Sequence, residues 1–503
     1  MNLFALIRSR IAQDARPFIH QPDGTMLTYG DMLDRTGQIA NVLVLSGVEP
    51  GDRVAAQVEK TVENVLLYLA TLRVGAVYLP LNTAYTLTEL DYFIGDAEPK
   101  LVVCDPAKRD GLTEIAKARG VAAVETLDAK GHGSLVDAAA RAPKDFADVP
   151  RSEDDLAAIL YTSGTTGRSK GAMLTHRNLS SNAQTLVEYW RFTDKDVLLH
   201  ALPIYHTHGL FVACNTVMLS GGAMIFLQKF DADECMRHLP QATSMMGVPT
   251  FYTRLLKHPG LTRAACGHMR LFTSGSAPLL AETHDEFREK TGHAILERYG
   301  MTETNMNTSN PYDGDRIAGT VGFPLPGVEV RIADAESGKP LPQGEVGVIE
   351  VKGPNVFPGY WRMPEKTKAE FRADGFFITG DVGKIDERGY VHIVGRAKDL
   401  IITGGFNVYP KEVESEIDAL SEVVESAVIG CPHPDFGEGV TAVVVLQAGA
   451  SADEKAIIAK LEDKLAKFKL PKRVIFVPDL PRNTMGKVQK NVLREQNAKL
   501  YQP

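Results

Sequence analysis

Stretches with helical periodicity alternate with short apolar runs in the first part of the sequence. Residues 27–47 and 61–75 place apolar side chains at helical spacing, whereas residues 52–58, 76–81 and 99–105 are short and apolar. Helical patterns that alternate with strand patterns are typical of helices packed on a largely parallel sheet. The sequence therefore predicts an α/β fold.

The chain is long enough to require more than one domain. It has 503 residues, and a single hydrophobic core stops growing at about 250–300 residues. Between residues 320 and 400, short strand patterns separated by Gly and Pro replace the alternation, and mixed patterns return after Lys398. We predict a large N-terminal domain (residues 1–397) of layered α/β subdomains plus a β-rich subdomain, and a small α+β C-terminal domain (residues 398–503). Residues 453–468 predict an amphipathic helix in the second domain.

Charge and cysteine content limit the partners of the chain. The formal net charge is −8, which argues against a broad basic surface for nucleic acid. The five cysteines are scattered and form no C-x-x-C pair, so we predict a cytoplasmic location and neither a disulfide framework nor a zinc site. Residues 209–227 lack charge, but polar residues and two adjacent glycines divide them. This favours a buried helix, a turn and a strand, and no membrane span is predicted.

A segment rich in Gly, Ser and Thr, residues 161–171 (YTSGTTGRSKG), follows an apolar run. Glycines allow backbone N–H groups to turn toward an anion, hydroxyls donate hydrogen bonds, and Lys170 adds positive charge. Because Lys170 lies between Ser169 and Gly171, the segment is not a Walker A loop, which needs Gly before the lysine and Ser or Thr after it. Taken alone, it could still be a flexible surface loop. The predicted phosphate-binding residues are Thr162, Ser163, Gly164, Thr165, Thr166, Gly167 and Lys170.

Five further motifs follow in order, at residues 273–279 (TSGSAPL), 297–304 (ERYGMTET), 379–381 (TGD), 395–401 (GRAKDLI) and 481–487 (PRNTMGK). Together with the phosphate loop they resemble the motifs of the adenylate-forming superfamily, which contains acyl-CoA synthetases, luciferases and the adenylation domains of peptide synthetases. The resemblance extends over essentially the whole chain. It implies that the protein uses ATP and Mg²⁺ to activate a carboxylic acid as an acyl-adenylate and then transfers the acyl group to coenzyme A.

The resemblance implies a role for each matching residue of the ATP site. Tyr299 would stack on adenine, Thr302 would bond the α-phosphate, and Glu303 would hold Mg²⁺, which prefers oxygen ligands. Asp381 and Arg396 would bond the ribose hydroxyls, since a carboxylate accepts from adjacent hydroxyl groups. The other implied ATP-binding residues are Ser276, Ala277, Glu297, Arg298, Gly300 and Met301.

The same resemblance implies that the C-terminal domain moves. Lys487 matches the lysine that serves adenylation, and Lys398 matches the hinge. Rotation about the hinge would exchange an adenylating arrangement for a thioester-forming one, in which Gly404 and Gly405 leave room for the pantetheine arm of CoA. Acetylation of Lys487 by a lysine acetyltransferase would remove its charge and abolish adenylation.

Two segments, residues 297–316 and 481–495, most resemble bacterial malonyl-CoA synthetases. This implies malonate as the acid, with methylmalonate as a second substrate. Arg254 is our candidate for binding the distal carboxylate, because a planar guanidinium matches a carboxylate in a bidentate way. Lys229 is a lesser candidate for the same role. The residues implied for the acyl pocket are His206, Thr207, Ser274, Met301 and Met306.

Three other functions remain open at this point. The acid could be another short or aromatic carboxylate, or the chain could be the adenylation domain of a peptide synthetase. It could also be a non-catalytic nucleotide-binding regulator, although such a protein is expected to have lost at least one functional residue. The functional residues retained together are Lys170, Thr302, Glu303, Asp381, Arg396 and Lys487.

Overall fold

The structure is a computed structural model of the chain. It describes residues 1–11, 13–162, 169–403, 406–465, 467–483 and 486–502, with only the backbone at 406 and 407. These residues form the predicted α/β fold, in which helices cover two large sheets. No helix of the described residues is both long and apolar enough to cross a membrane.

The first large sheet has seven strands, and its central strands are parallel. The two strands that flank residues 163–169 pair antiparallel with each other, and Thr162 lies opposite Lys170. Lys170 is therefore fixed at the start of a strand. In spatial order the strands are Gly359–Tyr360, Lys170–Thr175, Leu156–Thr162, Val77–Pro80, Arg53–Gln57, Leu101–Cys104 and Ala123–Thr126.

The second large sheet has nine strands, of which the six central ones are parallel. The carboxyl ends of parallel strands meet at one edge, which is where open α/β sheets bind ligands. His200, Gly247, Ser274 and Met301 end four of these strands. In spatial order the strands are Phe323–Pro324, Asn305–Ser309, Leu296–Met301, Leu271–Ser274, Ser244–Gly247, Val197–His200, Ala223–Phe226, Pro17–His20 and Met26–Thr28.

Two smaller sheets follow along the chain. An antiparallel four-stranded sheet forms the predicted β-rich subdomain, and its strands are Glu329–Ala333, Gly347–Lys352, Phe377–Ile385 and Val391–Arg396. The other sheet lies in the C-terminal part, and its strands are Ile401–Thr403, Phe406–Val408, Val423–His433, Gly437–Leu446 and Arg473–Phe476.

Local sequence signals explain where several helices begin and end. Helix Tyr29–Leu45 begins at a capping box in which Thr28 and Asp31 each bond the other's backbone N–H. Helix Val62–Val74 ends at Gly75, whose φ of 77° suits glycine. The α-helices are Leu3–Arg10, Tyr29–Leu45, Val62–Val74, Leu87–Ala97, Arg109–Arg119, Ser134–Ala139, His176–Tyr189, Asn215–Ser220, Ala232–His238, Pro249–Leu256, Arg263–Cys266, Ala281–Thr291, Pro364–Ala369, Pro410–Asp418, Glu454–Leu461 and Lys490–Gln496.

Five helical segments differ from the regular α-helix. The 3₁₀ turns are Pro106–Lys108, Leu239–Gln241, Ala397–Asp399 and Lys467–Lys469, and His208–Cys214 is a π-helix. The helix predicted over residues 453–468 is wrong in length, because it ends at Leu461. Leu465 and Phe468 continue the apolar pattern, but they reach the same core from a turn and a 3₁₀ segment. Both apolar side chains therefore pack against the core without a longer helix.

The hydrophobic cores of the two parts of the chain are separate. The clusters of buried apolar side chains in the C-terminal part draw all their members from residues 401–501. The clusters of the two large sheets and of the β-rich subdomain use residues 3–393. This separation supports the division between residues 397 and 398, which itself stays a prediction.

Candidate active site

Lys170 faces a pair of carboxylates that share one phenol. Its Nζ lies 3.3 Å from Oε1 of Glu370 and 4.1 Å from the centre of the Tyr360 ring. The Tyr360 hydroxyl lies 2.9 Å from Oε1 of Glu303 and 2.7 Å from Oε2 of Glu370. One hydroxyl hydrogen cannot serve both carboxylates at once, so together they are a strong site for positive charge.

The two carboxylates have different electrostatic surroundings. Burial raises the pKa of Glu303, against the hydrogen bond from Tyr360 and the charge of Lys170. Burial would also raise the pKa of Glu370, but hydrogen bonds from Lys366 and Tyr360 outweigh it and lower that pKa. The buried Glu303 carboxylate therefore lacks a full counter-charge among its described neighbours, and a bound cation would supply one.

Asp381 and Arg396 form the next part of the site. They lie opposite each other on paired strands of the β-rich subdomain, with Nε of Arg396 3.3 Å from Oδ1 of Asp381. The hydroxyl of Tyr299 donates a 2.6 Å hydrogen bond to Oδ2 of the same carboxylate. The pKa of Tyr299 is well above its usual value because of burial and of Asp381. Each carboxylate oxygen retains a lone pair with which to accept from a ligand.

Lys487 reaches this site from the C-terminal part of the chain. Burial, reinforced by the charges of Arg396 and Lys398 and opposed by Asp381, lowers the pKa of Lys487 to about 8. The loop before it touches the N-terminal part, because a Cβ added at Gly486 would lie 3.5 Å from Cγ2 of Thr250. The ammonium therefore lies among the residues predicted to bind ribose.

Arg298 lies in the interior of the second large sheet. It is 3% exposed, and its Nε and Nη2 make no hydrogen bond within the described part of the chain. A Cβ added at Gly275 would lie 2.2 Å from Nη1 of Arg298, so glycine at that position makes room for the guanidinium. Burial lowers the pKa of Arg298 to about 9, opposed by Tyr252. An arginine buried without a described carboxylate is costly, which is typical of a site that receives an anion.

Other buried polar groups of the predicted site also lack described partners. The buried atoms Oγ1 of Thr207, Nε2 of His208 and Oγ of Ser274 make no hydrogen bond within the described ranges. Burial, reinforced by the charges of Arg298 and Lys487, lowers the pKa of His206 to about 4. The charges of both the arginine and the lysine therefore reach His206.

The backbone of Met306 is held independently of its side chain. Nδ2 of Asn182 donates to the carbonyl of Met306 at 2.8 Å, and the Met306 N–H donates to Oδ1 of Asn182 at 3.2 Å. The methionine methyl group covers Gly300, where an added Cβ would lie 2.5 Å from Cε of Met306. The strand that follows the Thr302–Glu303 turn therefore has a fixed main chain.

Family models match most of the chain. Residues 9–361 match the model described as AMP-binding enzyme, and residues 412–487 match the AMP-binding enzyme C-terminal domain. The chain belongs to the AMP-binding enzyme family.

Relatives within the AMP-binding enzyme family are similar over nearly their whole length. The feruloyl-CoA synthase of Amycolatopsis sp is 38% identical over 97% of both chains. The mitochondrial malonate–CoA ligase of Mus musculus is 36% identical, over 93% of this chain and 86% of that protein.

A solved member of the family shares both sequence and overall arrangement. The ATP-bound crystal structure of MatB from Rhodopseudomonas palustris is 67% identical, covers 100% of this chain and 99% of that one, and has a TM-score of 0.98. Apo MatB, at the same identity and coverage, has a TM-score of 0.87. The present chain thus has the arrangement of the ATP-bound form.

The structure brings together most of the residues that sequence comparison assigned to the family's nucleotide site. Buried Glu297 accepts from the N–H of Leu279, and burial raises its pKa to about 8. Ser276, with φ of 70°, bonds His208 across 3.2 Å. The residues predicted for phosphate or CoA that lie outside the described residues are Ser163, Gly164, Thr165, Thr166, Gly167, Gly404 and Gly405.

Among the described residues, the structure gives no contact that supports the role predicted for Arg254, which stays a prediction. Its side chain is exposed in the last turn of helix Pro249–Leu256, and Lys229 is exposed as well. The apolar face of this helix packs inward through Tyr252, Leu255 and Leu256, and this packing turns position 254 outward. The family resemblance had implied that Arg298, whose guanidinium is buried, belongs to the ATP site.

Two residues of the site carried no sequence signal. Tyr360 and Glu370 lie in an irregular stretch without a motif, and they meet Lys170 only because strand Gly359–Tyr360 pairs with strand Lys170–Thr175. Pairing of a short edge strand across about 190 intervening residues cannot be deduced from local patterns.

Proposed function

We propose that the protein is an AMP-forming malonate–CoA ligase. The observation that carries the choice of acid is the buried Arg298, whose guanidinium has unpaired donors beside His206 and His208. A monocarboxylate would leave this charge without a partner, whereas the distal carboxylate of malonate would pair with it. The malonate–CoA ligase of Mus musculus and the similarity to MatB support the same acid.

In the first step, a carboxylate oxygen of malonate attacks the α-phosphorus of ATP, and the bond to pyrophosphate breaks. Arg298 holds the distal carboxylate so that the reacting one points toward the nucleotide. Lys487 supplies positive charge where negative charge develops on the phosphorus centre. Thr302 bonds the α-phosphate, and Asp381 and Arg396 hold the ribose.

The residues present fit a magnesium ion next to the triphosphate. Glu303 offers a buried oxygen ligand of the kind that Mg²⁺ prefers, with Lys170 and Glu370 beside it. The ion would neutralise phosphate charge during pyrophosphate departure. Tyr360 orients the Glu303 carboxylate for this role through its hydrogen bond.

In the second step, the sulfur of CoA attacks the malonyl carbonyl carbon, AMP leaves, and the thiol proton goes to solvent. We propose that the C-terminal domain rotates about Lys398 between the steps, which removes Lys487 and brings Gly404 and Gly405 to the site.

Thr207 and Met306 bound the acyl pocket, and the flexible methionine side chain leaves room for methylmalonate. The free cysteines are all buried, in keeping with a cytoplasmic location.

The test is AMP release with ATP, Mg²⁺ and CoA across acetate, malonate, methylmalonate, succinate, ferulate and octanoate. We expect malonate to give the highest kcat/KM, and Arg298→Met to lower that value by about 100-fold, because a buried charge-assisted pair is lost. Acetate activity should not fall in the variant. Arg254→Met is the matched control and should leave kcat/KM unchanged for both malonate and acetate.

Two outcomes would contradict this proposal in different ways. If ferulate or octanoate is preferred, the chain remains an acid–thiol ligase but malonate is wrong. If malonate is preferred and Arg298→Met retains that preference, another group binds the distal carboxylate.

A further inference from the structure

A buried lysine lies beneath the acyl pocket, outside every motif that the proposed reaction uses. Lys60 is 6% exposed, and its Nζ lies 2.8 Å from Nδ1 of His200 and 2.9 Å from the carbonyl oxygen of His200. The ring of Phe226 lies 4.3 Å from the same nitrogen. Among the described residues no carboxylate forms an ion pair with Lys60, and the other groups that influence its charge are the thiols of Cys214 and Cys235.

The protonation of His200 follows from its two neighbours. Its Nε2 lies 2.8 Å from the carbonyl oxygen of Gly209, and a carbonyl can only accept, so Nε2 carries the hydrogen. Burial, reinforced by Lys60, lowers the pKa of His200 well below its usual value. The ring is therefore neutral, and its Nδ1 accepts from Lys60. Burial lowers the pKa of Lys60 to about 7, but the neutral amine also has two N–H groups, one for each acceptor.

The Gly209 carbonyl at the end of this chain of bonds lies at the start of the π-helix His208–Cys214. It also accepts from the thiol of Cys214 at 3.2 Å. Gly209 is packed tightly, because an added Cβ would lie 2.0 Å from the carbonyl oxygen of Pro203. π-helical turns are rare and occur frequently at functional sites. This turn directly follows His206 and Thr207.

We propose that Lys60 and His200 are positioning residues that fix the first turn of the π-helix and thereby Thr207, the predicted acyl-binding residue that directly precedes it. Nζ of Lys60 donates to Nδ1 of His200, and Nε2 of His200 donates to the carbonyl of Gly209. The N–H donated by Lys60 to Nδ1 favours the tautomer of the imidazole that carries its hydrogen on Nε2, and that hydrogen anchors the carbonyl. The inference rests on one part of the proposed function, namely that residues 206–208 contact the acid.

Two substitutions of His200 separate positioning from simple packing. A glutamine amide nitrogen takes the place of Nε2, whereas an asparagine amide nitrogen takes the place of Nδ1. His200→Gln should therefore retain the bond to Gly209 and show a KM for malonate within about twofold of the unchanged protein. His200→Asn should raise that KM by about tenfold, because small displacements of positioning groups are costly. The KM for ATP should stay within about twofold in both.

Lys60→Met provides an independent measurement, because it retains the length of the side chain and removes the donor. We expect KM for malonate to rise about tenfold, with KM for ATP unchanged. Lys290→Met is the matched control, since Nζ of Lys290 also donates to a backbone carbonyl, that of Leu256, at 2.5 Å. It should lower the melting temperature without changing the KM for the acid.

A melting temperature that falls in Lys60→Met and His200→Asn while both KM values stay unchanged would overturn the positioning role. The same holds if His200→Gln and His200→Asn change the KM for the acid equally. Should another acid prove to be the preferred substrate, its KM replaces that of malonate, so failure of the malonate assignment remains distinct from failure of this proposal.

Discussion

The ammonium of Lys487 lies among several other charged groups. It lies near two other cations, Arg396 and Lys398, and near the carboxylates of Asp381 and Asp399. Its lowered pKa means that the positive charge is lost as the pH rises through about 8, well before an exposed lysine would lose it. Catalysis that depends on this charge must follow the same titration.

We therefore expect kcat/KM for malonate-dependent ATP–pyrophosphate exchange to fall as the pH rises above about 8, since kcat/KM reports the free enzyme. Lys487→Arg should move this fall to higher pH, because a guanidinium stays charged. Lys487→Ala and acetylated Lys487 should lose at least about 100-fold in exchange. Thioester formation from preformed malonyl-adenylate should be retained in both. An exchange rate that is insensitive to acetylation would contradict the role of the charge.

Single residues show why motifs predict a site better than helical position does. Lys170, Asp381 and Arg396 were predicted from motifs, and in the structure Lys170 pairs with Glu370 and Arg396 pairs with Asp381. Arg254 was predicted from its place on a helix near the pocket, but a rotation of about 100° per residue decides which way such a side chain points. Arg298 lay within a motif, and the contact with the acid proposed for it depends on depth in the sheet, which the sequence does not reveal.

At the scale of elements, the pairing of strand Gly359–Tyr360 with strand Lys170–Thr175 builds the cation site. Tyr360 lies opposite Ala172, two residues beyond Lys170. The ring supports the lysine and the hydroxyl orients the carboxylates of Glu303 and Glu370. A short edge strand thus contributes both an apolar and a polar contact to the ATP site.

Tyr360→Phe should lower kcat/KM for ATP by about tenfold at limiting Mg²⁺, with a smaller effect at high Mg²⁺, because only the orientation of Glu303 is lost. The ring contact with Lys170 is retained in this variant. Tyr390→Phe, which removes a bond to the carbonyl of Asp315, is the control and should not change the Mg²⁺ dependence. Equal effects at all Mg²⁺ concentrations would argue for a general loss of packing instead.

Most strands and helices followed from periodicity, because their apolar faces are buried in the predicted layers. The elements that did not follow are those set by distant partners. The helix that begins at Glu454 is shorter than its pattern, since Leu465 and Phe468 find the same core without it. The π-helix His208–Cys214 has no local signature, and the carbonyl of its second residue, Gly209, is held by His200 at the end of strand Val197–His200.

At the scale of the whole molecule, the C-terminal part is docked with Lys487 in the site. Arg494 forms an ion pair with Asp399 at 2.9 Å, next to Lys398. A sequence specifies both arrangements of a hinged protein, so the arrangement adopted in one state is not deducible from motifs alone. The position of a proposed hinge can nevertheless be tested.

Lys398→Pro should retain adenylation within about threefold and lower thioester formation by at least about 30-fold, because proline fixes φ and restricts the rotation. ATP–pyrophosphate exchange and transfer of the malonyl group from malonyl-adenylate to CoA, measured separately, distinguish the two steps. Lys398→Ala removes the charge without fixing φ and should behave as the unchanged protein. If the proline variant slows both steps equally, the rotation has another pivot.

The two hydrogen bonds between Asn182 and the backbone of Met306 separate the shape of the proposed acyl pocket from the path of its main chain. Because Asn182 holds both the N–H and the carbonyl of residue 306, a different side chain at this position does not need a different backbone. Substrate range can then diverge between descendants of one ancestral enzyme by single exchanges at residue 306, while the neighbouring Thr302 and Glu303 remain in register with the nucleotide.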